Sequence, residues 1–154
     1  MWKMNFKKMN IEILTFEEFS LQKLYEVLQL RAEVFVVEQN CPYQDVDGKD
    51  QKALHVLGYA DGKLVAYTRL FKPGDYFERA SIGRVIVKEN YRKYGYGKDI
   101  MNASIKVLED EFDTKEIELS AQVYLKKFYN DLGFIEFGEG YLEDNIPHIR
   151  MLRN

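Results

Sequence analysis

Cysteine occurs once in this 154-residue chain, at Cys41, so no internal disulfide can form. Histidine occurs twice, at His55 and His148, so imidazole chemistry has only two places to come from. No run of about 18 apolar residues exists, which argues against a membrane-spanning helix. Basic residues are not in excess: Lys and Arg number 22 against 25 Asp and Glu, a net charge of −3. A nucleic-acid footprint is therefore not expected. No linker, repeat or low-complexity stretch divides the chain. The first eight residues, Met1 to Lys8, are basic but lack the apolar core of a signal peptide, and a loose end is expected there. Hydrophobic residues at 46% and charged residues at 31% suit a globular chain with a full core. The expectation is one cytoplasmic domain over residues 1–154, with no metal, membrane or nucleic-acid partner.

Apolar spacing supplies the elements. Ile11, Ile13 and Leu14 predict a first strand from Asn10 to Phe16. Ser20 stands as an N-cap before Leu21, Leu24, Tyr25, Leu28 and Phe35, whose spacing predicts a helix to about Val37. Asn40 to Asp50, with Pro42, Gly48 and three aspartates, reads as a loop. Leu54 to Tyr59 and Leu64 to Phe71 flank Asp61-Gly62, a hairpin signal. Ala80 to Val87 is a further strand. Met101, Ile105, Leu108 and Phe112 line a second helix, and Glu116 to Ala121 a short strand. Leu125, Phe128, Tyr129 and Leu132 line a short helix closed by Gly133, and Phe134 to Phe137 pairs with His148 to Leu152. The order is β-α-β-β-β-α-β-α-β-β. Strands alternate with helices only around one glycine-spaced loop, so the sheet should be mixed, parallel near that loop and antiparallel elsewhere.

That loop is the most informative stretch. Val85-Ile86-Val87 ends in a polar turn, and Arg92-Lys93-Tyr94-Gly95-Tyr96-Gly97 then opens the second helix. Bare N–H groups and the helix dipole at such a mouth favour an anion, notably a phosphate. A P-loop is excluded because Asp99 follows Gly97-Lys98 and the first glycine is missing. A dinucleotide fingerprint is a poor match, since Ile100 stands where a third glycine belongs and the loop lies mid-chain. A plain tight turn without ligand is the alternative on spacing alone.

Arg92-x-x-Gly95-x-Gly97 after Val85-Ile86-Val87 resembles the acetyl-CoA motif of the GNAT superfamily of N-acetyltransferases. Phe128-Tyr129-Asn130-Asp131-Leu132-Gly133-Phe134 is similar to that family's second motif, Tyr-x-x-x-Gly-Phe. The resemblance extends over roughly residues 9 to 154, through Leu30-Arg31, Val34-Phe35-Val36-Val37-Glu38-Gln39, Cys41-Pro42-Tyr43, Asp47-Gly48, Gly83-Arg84 and Ile146-Pro147-His148. These runs resemble most the bacterial ElaA-type subgroup. The resemblance implies an α/β (α+β) GNAT fold, with a mixed sheet of about seven strands and helices on both faces.

The same resemblance implies a cleft between the strands ending at Val87 and Ala121. Backbone groups of Val85, Ile86 and Val87 would pair with pantetheine amides as an added strand does. Main-chain N–H groups of Lys93, Tyr94, Gly95, Tyr96, Gly97 and Lys98 would hold the diphosphate, and Arg92 and Lys98 would add charge. The family often carries an asparagine seven residues before its tyrosine; here that place is Gln122, which keeps the amide but changes its reach. The implied reaction is acyl transfer from acetyl-CoA to a primary amine in a ternary complex. A backbone N–H near Val87 would stabilise the oxyanion. Tyr129 is the candidate acid for the leaving thiolate, its ordinary pKa of about 10 keeping it protonated at neutral pH; a core tyrosine is the plain alternative. No carboxylate stands in Ser81-Ile82-Gly83-Arg84 where many relatives carry a base, which leaves His55, His148, Glu33, Glu38 or water.

Other motifs point elsewhere or nowhere. Asp45 to Asp50 is not an EF-hand, because glycine comes fourth rather than sixth and position twelve is Val56. Cys41 reads as a buried or half-buried thiol. Arg31, Arg69 and Arg84 read as scaffold paired to Glu33 and Asp47, or as ligands for an acceptor carboxylate. A non-catalytic domain that senses acyl-CoA or binds a partner is the second functional class, a nucleotide enzyme the third. The acceptor amine and the acyl range are open, and a homodimer is an expectation taken from relatives.

Overall fold

A computed structural model describes residues 8–154. The expected loose end therefore falls almost wholly outside the described residues. Seven strands form one sheet in the order β1-β2-β3-β4-β5-β7-β6. They are β1 (Asn10–Thr15), β2 (Leu54–Ala60), β3 (Lys63–Phe71), β4 (Ala80–Val87), β5 (Ile117–Gln122), β6 (Ile135–Glu143) and β7 (Ile146–Arg153). Three helices cover it: α1 (Leu21–Ala32), α2 (Tyr96–Phe112) and α3 (Lys126–Asn130). The element order and the mixed sheet agree with the sequence reading.

The two faces carry separate cores. Val27, Leu30 and Val34 on the α1 side pack with Leu57, Tyr67 and Ile86. Ile100, Met101, Ile105 and Leu108 of α2 pack with Ile117, Leu119 and Ala121 on the other face, joined by Tyr129 of α3. Every second residue of a strand turns to one side, so the central strands β2, β3 and β4 feed both cores. Ser20 accepts the Lys23 N–H and starts α1 as expected. Asp61 and Gly62 both hold positive φ, the conformation a two-residue hairpin of this type needs.

Four features depart from the expectations. The first helix does not continue as α-helix to Val37: Glu33–Glu38 is a π segment, closed by the Cys41 N–H on the Val36 carbonyl. A wider turn of this kind breaks the 3.6 spacing that periodicity detects. The second departure is a 3-10 turn, Glu89–Tyr94, in what reads as plain loop. Third, β6 runs to Glu143 rather than Phe137, passing through a register break that Gly138 absorbs at φ +71. Its Gly-Glu-Gly stretch imitates a turn. Fourth, the parallel pairing is not beside the glycine loop. β4 and β5 pair only at Ala80–Ile117 and Ser81–Glu118, at the far end, and no ladder joins them towards the loop.

Candidate active site

Because β4 and β5 are joined at one end only, a cleft of about 830 Å³ opens between them. Its half nearest the start of α2 is lined by Val85, Val87, Gly95, Gly97, Lys98 and Phe128. The 17-residue α2 begins there without any side-chain cap. Its ladder starts with the Asp99 N–H on the Gly95 carbonyl, so the amides of Tyr96, Gly97 and Lys98 precede it. A helix end of this kind carries about half a positive charge. Lys98 is exposed and forms no ion pair among the described residues.

The two glycines do different work. Gly95 sits at φ +77 with open space around its missing side chain, so the turn itself demands glycine. Gly97 lies within the helix, where an added Cβ would come within 3.3 Å of the Phe128 ring. Its missing side chain lets the Phe128 ring of α3 come close to the helix mouth. Arg92 is less free than the sequence suggests. Its Nε donates to the Val87 carbonyl at 2.8 Å, and its two terminal nitrogens hold Glu38 at 2.9 and 2.7 Å. The charge expected to face a diphosphate instead ties the π segment to the end of β4. Lys93 lies over the Tyr94 ring. Ile86 turns its side chain into the α1 core, leaving only backbone for a ligand.

Tyr129 lines the cleft from α3 and is 5% exposed. Its hydroxyl has no hydrogen-bond partner among the described residues. Burial, with the neighbouring Tyr124 adding to it, pushes the phenol well above its usual range. It is therefore protonated at neutral pH. Gln122 also lines the cleft, at the end of β5 opposite His148 of β7.

The four base candidates separate cleanly. His55 is buried in β2, held by the Tyr67 hydroxyl at 2.6 Å and the Asp50 carbonyl at 2.9 Å. A carbonyl only accepts, so Nε2 carries the proton and Nδ1 accepts from Tyr67. Burial drives its pKa down, and it serves the scaffold. Glu33 is outside the cleft, 4.0 Å from Lys88. Glu38 lines the cleft but is taken by Arg92. His148 lines the cleft, donates Nδ1–H to the Ile146 carbonyl at 2.7 Å, and turns Nε2 to Glu143 at 3.2 Å. Its ring stacks on Tyr141, whose hydroxyl meets Ser120. Glu143 was invisible to sequence reasoning because it lies in the stretch of β6 that reads as turn.

The other half of the cleft rests on an ionic network. Arg31 reaches Asp45 and Asp50 at 2.8 Å each, not Glu33. Arg69 reaches Asp47 at 2.8 Å and Asp50 at 2.9 Å, and Arg84 reaches Asp45 at 2.7 Å and Asp47 at 3.4 Å. Burial raises the Asp47 carboxyl, but the Arg69 hydrogen bonds and charge outweigh it and leave the group at about 2. Arg84 itself sits at φ +48, where the β3–β4 register slips between Tyr67 and Arg69. Such a bulge leaves an extra residue outside the ladder. No local sequence signal marks it. Cys41 is buried, as one of the two readings held, with Sγ donating to the Asp144 carbonyl at 3.4 Å. Among the described residues no cluster of His, Cys, Asp or Glu is able to hold a metal, and no helix is long and apolar enough to cross a membrane.

Known proteins resemble this chain in sequence and fold. The family model described as an acetyltransferase (GNAT) domain matches residues 16–153. Protein ElaA of Escherichia coli is 46% identical over 138 residues, 88% of this chain and 90% of that protein. The crystal structure of Escherichia coli ElaA superposes with a TM-score of 0.89 at 43% identity, covering 96% of this chain and 100% of that one. An acyl-CoA N-acyltransferase from Pseudomonas aeruginosa superposes at 0.88 with 40% identity, covering 94% and 99%. A splayed β4–β5 pair, an uncapped α2 and these likenesses lead to one assignment: the chain belongs to the GNAT acetyltransferase family.

Proposed function

We propose that this protein is an acetyl-CoA-dependent N-acetyltransferase that acylates a primary amine by direct attack in a ternary complex. The observation that carries the reading is the uncapped α2 terminus, turned by Gly95 into a cleft that also holds the partnerless Tyr129 hydroxyl. The amides of Tyr96, Gly97 and Lys98 suit a diphosphate, and the Lys98 side chain adds charge. Arg92 supports this indirectly, by fixing the Val87 carbonyl. The thioester supplies the acyl group, and its sulfur leaves as a thiolate.

The chain's own groups account for the protons. Glu143, half-exposed at the rim, draws an ammonium into the cleft. His148 beside it takes the proton that makes the amine a nucleophile. Backbone N–H groups near Val87 face the developing oxyanion. Tyr129 donates its proton to the departing thiolate, of ordinary pKa about 8.5, and regains one from solvent. The products are an amide and free coenzyme A.

Acetyl-CoA is expected to raise the melting temperature, and mixed amines to release coenzyme A thiol faster than background hydrolysis. A rise in melting temperature without thiol release would favour a non-catalytic acyl-CoA sensor. No shift at millimolar acetyl-CoA would count against both.

A further inference from the structure

The acceptor half of the cleft contains open space flanked by two idle hydrogen-bonding groups. β3 and β4 pair with Arg69 opposite Gly83 and Phe71 opposite Ser81, so these four residues share the α1 face. Gly83 is outside the left-handed region, so its backbone does not demand glycine. An added Cβ there would meet nothing within 4 Å. A glycine inside a strand costs about 0.5–1 kcal/mol relative to alanine, and neither turn nor packing accounts for this one.

Beside that space, Nε of Arg69 and Oγ of Ser81 have no hydrogen-bond partner among the described residues, although the two residues are only 1% and 2% exposed. Both line the cleft. The other Arg69 nitrogens are each engaged, Nη1 by Asp47 and Asp50 and Nη2 by Asp47. Idle buried donors are costly and rare, and call for a partner.

The charge around them decides what partner fits. Arg31, Arg69 and Arg84 are matched by Asp45, Asp47 and Asp50, so the network is neutral as it stands. A carboxylate would bring an unmatched charge into a buried place. A neutral oxygen accepts from Nε–H and Oγ–H without that penalty. Phe71 stacked on Tyr76 at 5.0 Å, and Phe77 edge-on to Tyr76 at 4.8 Å, supply an aromatic wall to the same region.

We infer that the acceptor is a primary amine carrying a neutral oxygen acceptor on an aromatic or apolar frame, its amide carbonyl or hydroxyl seated at Gly83 between Arg69 and Ser81. The inference rests on the acyl-transfer reading above. It is tested with three matched amines: phenylalaninamide, phenylalanine and 2-phenylethylamine, assayed for thiol release from acetyl-CoA. The amide is expected to exceed both others in kcat/KM by about tenfold or more, since its oxygen accepts one bond from a charged guanidinium and one from a hydroxyl. Gly83→Ala is expected to keep or raise the melting temperature, to leave the acetyl-CoA thermal shift unchanged, and to raise the KM for phenylalaninamide. Ser81→Ala is expected to narrow the gap between the amide and 2-phenylethylamine.

Equal use of 2-phenylethylamine overturns the inference. So does a preference for phenylalanine, which the exposed Lys49 over the Tyr76 ring would serve. Turnover of none of the three, or an unaltered acceptor KM in Gly83→Ala, overturns it too. Those failures leave acetyl-CoA binding intact. Loss of the acetyl-CoA thermal shift in the unaltered protein would instead sink the acyl-transfer reading beneath it.

Discussion

The two halves of the cleft are built by opposite means. The half at the α2 terminus uses main chain: an uncapped helix, one left-handed glycine and a strand end, with the nearby Arg92 neutralised by Glu38. The half under the Asn40-to-Asp50 loop uses side-chain charge, with three arginines and three aspartates locking loop, α1, β3 and β4 together. On the proposed acyl-transfer reading, backbone suits what every acyl-CoA shares, a diphosphate and a chain of amides, and the charge network shapes a pocket for one acceptor. That network also holds the strained Arg84 bulge in place. The contrast explains why one half is legible as a motif and the other is not.

Removing a member of the network should separate the halves most. Arg31→Ala leaves Asp45 to Arg84 and Asp50 to Arg69, three aspartates against two arginines, and for that one uncompensated charge a loss of about 3–5 kcal/mol in urea unfolding is expected. Next in size is the chemistry itself. Tyr129→Phe is expected to lower kcat by about a hundredfold or more, the usual scale for a positioned acid, with little change in acetyl-CoA affinity. A variant that lost affinity and kept kcat would return Tyr129 to the role of a core aromatic.

Acid should dissolve the charged half before the backbone half. Asp47 stands at about 2 in the folded protein against about 3.9 unfolded, so its stabilisation is fully present above pH 4 and lost as pH falls towards 2. His55 is also lowered, by burial first, and its contribution is lost below its unfolded value of about 6.5. Both have the same sign, so stability should fall in two stages on acidification. His55→Gln should flatten the first stage and Asp47→Asn the second.

The sequence carried the scaffold well because most of its signals are local. Ser20, Asp61-Gly62, Gly95 and Gly133 each announce a boundary within a few residues of themselves. Periodicity then supplied the faces of α1 and α2. It failed where geometry is set at a distance. The π segment at Glu33–Glu38 and the bulge at Arg84 both depend on partners elsewhere in the chain. Arg31 meets Asp45 and Asp50 across 14 and 19 residues, and Arg69 meets Asp47 across 22. No spacing rule pairs these. Resemblance named Tyr129 and Gln122, and the cleft includes both, but it gave Arg92 a freedom that Glu38 removes. Glu143 escaped because Gly138 and Gly140 disguise the middle of β6 as a turn.

The smallest effects should fall on the two glycines of the backbone half, and they should differ in kind. Gly95→Ala forces a side chain into a left-handed conformation with no crowding, a cost of about 1–2 kcal/mol. Gly95→Asn should cost less, since asparagine tolerates that region. Gly97→Ala is opposed by crowding rather than by φ. Alanine gains about 0.8–1.0 kcal/mol of helix propensity, while its Cβ presses on Phe128 at 3.3 Å. Phe128 is half-buried on the five-residue α3 and lines the cleft, so its ring is able to give way. The melting temperature should therefore hardly move, while the displaced ring narrows the path of the acyl-CoA and raises its Kd. Stability lost with affinity kept would show that Phe128 is core, and that Gly97 serves α3 rather than the ligand.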